Sequence, residues 1–140
     1  MKLIPAATAP PLCPLPLYMS KISAGFPSPA DDYIDASLDL NEYLVTNKTA
    51  TFFLRVKGDS MAGAHIHDRD LLIANRALSP AHRNIVAAVV NGEITVKYLY
   101  KRDGVVKLQA ANPKYRDIVI PPDGELVVWG VCTHVIHTFT

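Results

Sequence analysis

At 140 residues the chain is long enough to bury a real core and short enough to expect a single domain. With 49% hydrophobic and 19% charged residues it is excluded from the disordered class, and its apolar excess suits a self-association surface. A formal net charge of +1 with dispersed Lys and Arg leaves no electrostatic footprint for tight nucleic-acid binding, so no direct specific nucleic-acid contact is expected.

Residues 1 to about 30 carry many of the prolines, alternating with alanine, leucine and serine, and favour extended or polyproline conformations. This stretch is expected to be a flexible arm, 1–30, preceding a β-rich domain, 31–140. Its prolines leave no room for the two amphipathic helices of a helix-turn-helix. They also interrupt the apolar stretch after Lys2, which otherwise has the outline of a secretory signal ending at Ile22-Ser23-Ala24. No apolar run reaches membrane-spanning length. The two cysteines, Cys13 and Cys132, form no disulfide framework and fit a reducing compartment. The expected localisation is therefore cytoplasmic.

Residues 35–45 read as a short connecting helix packed on the sheet, with Asp39 as its cap. Asn47-Lys48-Thr49 is a loop, and the β-branched and aromatic run 51–56 is a strand that stops at Gly58, where a sharp turn is allowed. After Met61 a loop leads to the apolar strand 71–74. Residues 84–90 and 93–101 are two strands joined by Asn91-Gly92, a strong hairpin signal. Asp103-Gly104 makes another turn, 105–109 another strand and Asn112-Pro113 a loop. Residues 118–120 precede a proline and glycine turn, and 126–136 form a long last strand interrupted by Gly130. Short strands at this spacing predict a mainly β fold, a strongly bent antiparallel sheet of the sandwich or barrel kind with an extended N-terminal arm.

Chemistry concentrates at Ser60. It sits just past the Gly58 turn, where the N–H groups of Ser60 and Met61 are placed to donate to an oxyanion. A serine needs a base to be a nucleophile. Lys97, set among Ile94, Val96, Tyr98 and Leu99, becomes one if desolvation removes its charge. Strand alternation puts Thr95 on the same face as Lys97, where its hydroxyl can orient the amine. Five histidines invite other readings. His65 and His67 flank Ile66, and His134 and His137 are three apart, but neither pair completes a zinc spacing, and no metal or other cofactor is expected. A Ser60-histidine-aspartate triad stays open at this stage, because triads assemble in space.

From Ile22 onward the segments Ser23-Ala24-Gly25-Phe26-Pro27-Ser28-Pro29-Ala30-Asp31-Asp32-Tyr33, Gly58-Asp59-Ser60-Met61, Asp70-Leu71-Leu72-Ile73 and Gly92-Glu93-Ile94-Thr95-Val96-Lys97 resemble the UmuD type of the LexA/UmuD self-cleaving serine peptidases. The resemblance covers almost the whole chain. It implies the fold of the LexA/UmuD C-terminal domain and a Ser60/Lys97 dyad that cleaves Ala24-Gly25 in the arm, within one chain or between subunits. Alanine before the glycine matches the repressor relatives, whereas UmuD has a larger thiol residue there. It implies a homodimer, acceleration by a RecA filament after DNA damage, and a shortened form that joins a UmuC-type error-prone DNA polymerase for translesion synthesis. Relatives usually carry glycine where Arg69 stands, so a positive φ there would cost this chain of the order of 1 kcal/mol. The alternatives are a non-catalytic dimeric β-module that docks on a DNA polymerase or RecA filament, and a processing peptidase for membrane-bound precursors, which would need an anchor.

Overall fold

The computed structural model describes residues 3–5, 14–18 and 34–140. These fall into two compact units, one of residues 14–18 and 34–46, the other of residues 3–5 and 47–140. The expected boundary at 30/31 and the Ala24-Gly25 bond lie outside the described residues.

In the smaller unit β2 (Pro14–Tyr18) pairs antiparallel with β3 (Ile34–Asp39), with Leu15 opposite Leu38. Prolines at 14 and 16 are tolerated because each strand of a two-stranded ribbon is an edge. The helix α1 spans only Leu40–Leu44, and the side chain of its cap Asp39 accepts from the Asn41 N–H at 2.9 Å. The cap is where the sequence places it, but residues 35–38, expected to be helical, are strand. None of the helix residues is buried.

The larger unit is an eight-stranded sheet in the order β1-β4-β5-β10-β6-β7-β8-β9, with antiparallel neighbours throughout. Its strands are β1 (Leu3–Pro5), β4 (Thr51–Arg55), β5 (Leu71–Asn75), β6 (Ile85–Val90), β7 (Glu93–Arg102), β8 (Val105–Gln109), β9 (Ile118–Ile120) and β10 (Val127–Ile136). The sheet curls into a half-barrel, as the strand pattern predicts for the LexA/UmuD fold. Both expected hairpin turns are present, and Asn91, Gly92, Asp103 and Gly104 all take positive φ. The last strand enters between β5 and β6 and shifts register at Val128/Gly130 and again at Cys132/His134. Gly130 leaves space for the Phe52 ring, which would lie 3.0 Å from a Cβ there.

Alternation along the strands builds two cores. One gathers Phe52, Leu54, Val56, Met61, Ile66, Leu72, Ala74, Ala87 and Val96; the other gathers Val86, Ala88, Leu99, Leu108 and Val131. Adjacent residues of β6, Val86 and Ala87, thus serve opposite sides, as the period of two requires. Met61 and Ile66 anchor the turn after Ser60 in the first core, and that turn is fixed by burial as well as by hydrogen bonds.

Arg69 takes φ 72, the left-handed conformation that L side chains resist. Its N–H donates to Val56 O at 2.8 Å, which holds the backbone there. Arg69→Gly is expected to raise unfolding stability by about 1 kcal/mol without altering the fold, read as a higher urea midpoint at unchanged slope.

Candidate active site

The nucleophile turn begins where β4 leaves the sheet. Val56 N–H donates to Asp70 O at 2.9 Å, after which Gly58, at φ 93, turns the chain and donates its N–H to Asp68 Oδ1 at 2.8 Å. Ser60 follows, half-buried, then buried Met61 and a short 3₁₀ turn, Ala62–Ala64. Residue 111, just beyond β8, brackets this turn. Ala111 N–H donates to Ser60 O at 2.8 Å, and Ala111 O accepts from Gly63 N–H at 2.7 Å. The N–H groups of Ala62, Ala64 and His65 are taken by turn carbonyls, whereas among the described residues the N–H groups of Ser60 and Met61 have no protein acceptor. Two free donors beside the hydroxyl are what an oxyanion requires.

Lys97 lies in the middle of β7, opposite Val86 of β6, and is 7% exposed. Its Nζ is 3.1 Å from Ser60 Oγ, 2.7 Å from Thr95 Oγ1 and 3.2 Å from Val96 O. It forms no ion pair among the described residues. Burial without a compensating carboxylate pushes the Lys97 amine below its ordinary value of 10.5. An uncharged amine has two N–H donors and one lone pair. Val96 O can only accept, so it takes one N–H, and Thr95 Oγ1 takes the second at the shortest of the three distances. The lone pair is then left to receive the Ser60 hydroxyl proton. Ser60, Lys97, Thr95 and the Met61 N–H are therefore brought together, and a cleft of about 200 Å³ opens beside them between Val56, Met61, Ile66 and Ile94.

Among the described residues the hydrogen bond at Ser60 Oγ is with Lys97 Nζ, and histidine rings have other partners. His82 Nδ1 accepts from Lys101 N–H at 3.0 Å, His134 Nδ1 is 2.9 Å from Thr133 Oγ1, and His137 Nδ1 is 2.5 Å from Asp70 Oδ1. Burial of Asp70 pushes its carboxyl up, but the His67 N–H and His137 outweigh it and hold the carboxyl below the usual range. Among the described residues the Asp70–His137 pair makes no hydrogen bond to Ser60, whose Oγ has Lys97 as its neighbour. Among the described residues no three His, Cys, Asp or Glu side chains converge on a point. Cys132 is half-buried, and desolvation pushes its thiol up to about 12, so it is not a competing nucleophile. A larger groove of about 520 Å³ between Leu99, Val106, Ile120 and Leu126 shares no residue with the Ser60 cleft.

The fold is the curled antiparallel sheet of a class of serine peptidases. Residues 16–133 match the Peptidase S24-like family, and the chain belongs to that family of self-cleaving serine peptidases. Within it the chain is of the UmuD type, whose self-cleavage belongs to SOS mutagenesis after DNA damage. It is 46% identical to Protein MucA of Salmonella typhimurium, covering 86% of this chain and 82% of that protein. It is 43% identical to Protein ImpA of Escherichia coli, covering 87% and 83% respectively. LexA repressor 1 of Geobacter sulfurreducens is 37% identical over 78% of this chain, which spans 54% of that repressor. Among the described residues no helix is long and apolar enough to cross a membrane.

Sequence reasoning missed the Ala111 bracket and the Val96 carbonyl. Neither has a side-chain signature, since both act through the backbone.

Proposed function

We propose that Ser60 is the nucleophile and Lys97 the general base in cleavage of the Ala24-Gly25 bond of the N-terminal arm. The observation that carries this reading is the 3.1 Å approach of a buried, carboxylate-free Lys97 Nζ to Ser60 Oγ. Lys97 takes the hydroxyl proton as Oγ attacks the Ala24 carbonyl, and the N–H groups of Ser60 and Met61 receive the oxyanion. Collapse breaks the C–N bond, with Lys97 returning the proton to the Gly25 amine and Ser60 left acylated. Water, deprotonated by the same amine, then releases the Ala24 carboxylate. Alanine is small enough for the cleft beside Ser60, and glycine lets the backbone come close. Tethering raises the local concentration of the bond, so an isolated dyad suffices.

The shortened chain then acts, as a homodimer, as accessory subunit of an error-prone translesion polymerase of the UmuC type, and a RecA filament accelerates its formation. Family membership and the likeness to MucA and ImpA support this part.

The test is incubation of the whole chain at alkaline pH, with and without a RecA filament on single-stranded DNA, and mass analysis of the product. Wild type is expected to yield a fragment beginning at Gly25, while Ser60→Ala and Lys97→Ala stay intact. Cleavage persisting in both variants would overturn the dyad. Absence of cleavage in wild type under every condition would leave the non-catalytic docking module. Thr95→Val, which removes the 2.7 Å partner of the amine, is expected to slow cleavage about tenfold, equivalent to one hydrogen bond near 1.4 kcal/mol. An unchanged rate would remove Thr95 from the mechanism.

A further inference from the structure

Asp59, the residue before the nucleophile, is gripped at both its backbone and its side chain by the segment after β8. Asn112 Nδ2 donates to Asp59 O at 2.9 Å, and its own Oδ1 accepts from Lys114 N–H at 3.0 Å, which fixes the orientation of the amide. The Tyr115 hydroxyl donates to Asp59 Oδ1 at 2.6 Å. Together with the Ala111 N–H on Ser60 O, three acceptors of the turn, Asp59 O, Asp59 Oδ1 and Ser60 O, are tied to residues 111–115. The clasp takes the carbonyls of Asp59 and Ser60 and one carboxylate oxygen of Asp59, yet among the described residues leaves the Ser60 and Met61 N–H groups open.

The clasp and the lysine share one mechanical origin. Lys97 is on β7, and residues 110–115 continue from β8, whose last residue Gln109 pairs with Tyr98, the neighbour of Lys97. A single hairpin therefore carries the base on one strand and the grip on the nucleophile at the end of the other. Rigid strands on both sides keep hydroxyl and amine at a fixed separation.

We infer that Asn112 and Tyr115 are positioning residues for Ser60, holding Asp59 so that the hydroxyl keeps its bearing on Lys97. This rests on Ser60 being the nucleophile. The bond to Tyr115 is the main reason the Asp59 carboxyl lies below the usual carboxylate range, and the same bond raises the Tyr115 phenol. The phenol consequently remains a donor as pH climbs into the range where Lys97 is uncharged. Among the described residues neither side chain hydrogen-bonds Lys97, so their effect is on where Ser60 sits and not on when the amine loses its proton.

The test uses the full chain and a small fluorophosphonate, which labels an activated serine without needing the arm in the cleft. Labelling of Ser60 and self-cleavage are followed side by side across pH. Tyr115→Phe and Asn112→Asp are each expected to slow both reactions about tenfold at an unchanged pH midpoint. Asp59→Ala should do the same, Asp59→Asn should recover most of the rate because it keeps an acceptor, and adding Tyr115→Phe to Asp59→Ala should cost nothing more. Labelling at the wild-type rate in Tyr115→Phe and Asn112→Asp overturns the inference, as does simple additivity in the double variant. Rate losses that track the thermal midpoint and vanish on cooling also overturn it, because they mark a merely structural role. Wild-type labelling of Ser60→Ala would instead contradict the assignment of the nucleophile, a separate failure.

Discussion

Lys97→Met is expected to leave the chain folded, more stable than wild type at neutral pH, and unable to cleave itself. The loss of cleavage should be about a thousandfold or more, since a positioned general base contributes about 10² to 10⁴ and among the described residues no other base hydrogen-bonds Ser60. The gain in stability follows from the site's electrostatics. Lys97 is buried with no ion pair among the described residues, and its pKa in the folded chain lies below the unfolded value of 10.5. Between those two values the unfolded chain binds more protons than the folded one, so wild-type stability rises with pH through that window. Below the folded value the folded state carries the full penalty, and above the unfolded value it carries none. Methionine has similar length and no charge, so the variant should gain about 1 kcal/mol at neutral pH, a gain that shrinks as pH approaches 10.5. Denaturation at several pH values reads this directly. A Met variant less stable than wild type at neutral pH would mean that the amine is held charged by partners other than those seen.

Gly63→Ala is expected to be nearly as damaging to cleavage, although the residue carries no reactive group. A Cβ at Gly63 would lie 2.6 Å from Ala111 O, the acceptor of the Gly63 N–H. That contact is backbone against backbone and cannot be relieved by a side-chain rotation. The turn and the segment after β8 must separate, and the Ala111 bond to Ser60 O goes with them. A displacement near 1 Å at a reacting atom costs about a hundredfold in rate, and overpacking typically costs about 1–3 kcal/mol in stability. Cleavage and the urea midpoint should fall together. A variant with the wild-type rate would show that the Ala111 bracket does not set the position of Ser60.

Much of this was legible in the residues because local rules and tertiary packing agree. Asn91-Gly92 and Asp103-Gly104 announce their hairpins, and the positive φ values at all four residues follow from the twist such turns must match. Alternation put Thr95 and Lys97 on one face, and both converge at the amine. What was not legible is non-local. Nothing in residues 127–136 says that β10 enters between β5 and β6, since that order is decided by which apolar faces remain to be covered. The expected helix runs back over residues 35–38 because Leu40, Tyr43 and Leu44 satisfy a helical spacing, while pairing with Pro14–Tyr18, far away in the chain, selects a strand there. Arg69 adopts a glycine-like φ because Val56 O and the Gly58 turn dictate the backbone whatever side chain stands there. The grip of residues 111–115 on Asp59 and Ser60 left no trace in the sequence beyond a loop at Asn112-Pro113.

The account turns on an amine that is uncharged when it acts. The measurement that addresses it most directly is the titration of Lys97 in Ser60→Ala, followed by the chemical shift of its Cε and Nζ, set beside the pH dependence of self-cleavage in wild type. The account predicts that Lys97 loses its proton below 10.5 and that the cleavage rate climbs with the same midpoint. A Lys97 that titrates at the ordinary value, or a cleavage rate that stays flat while the lysine titrates, would contradict it.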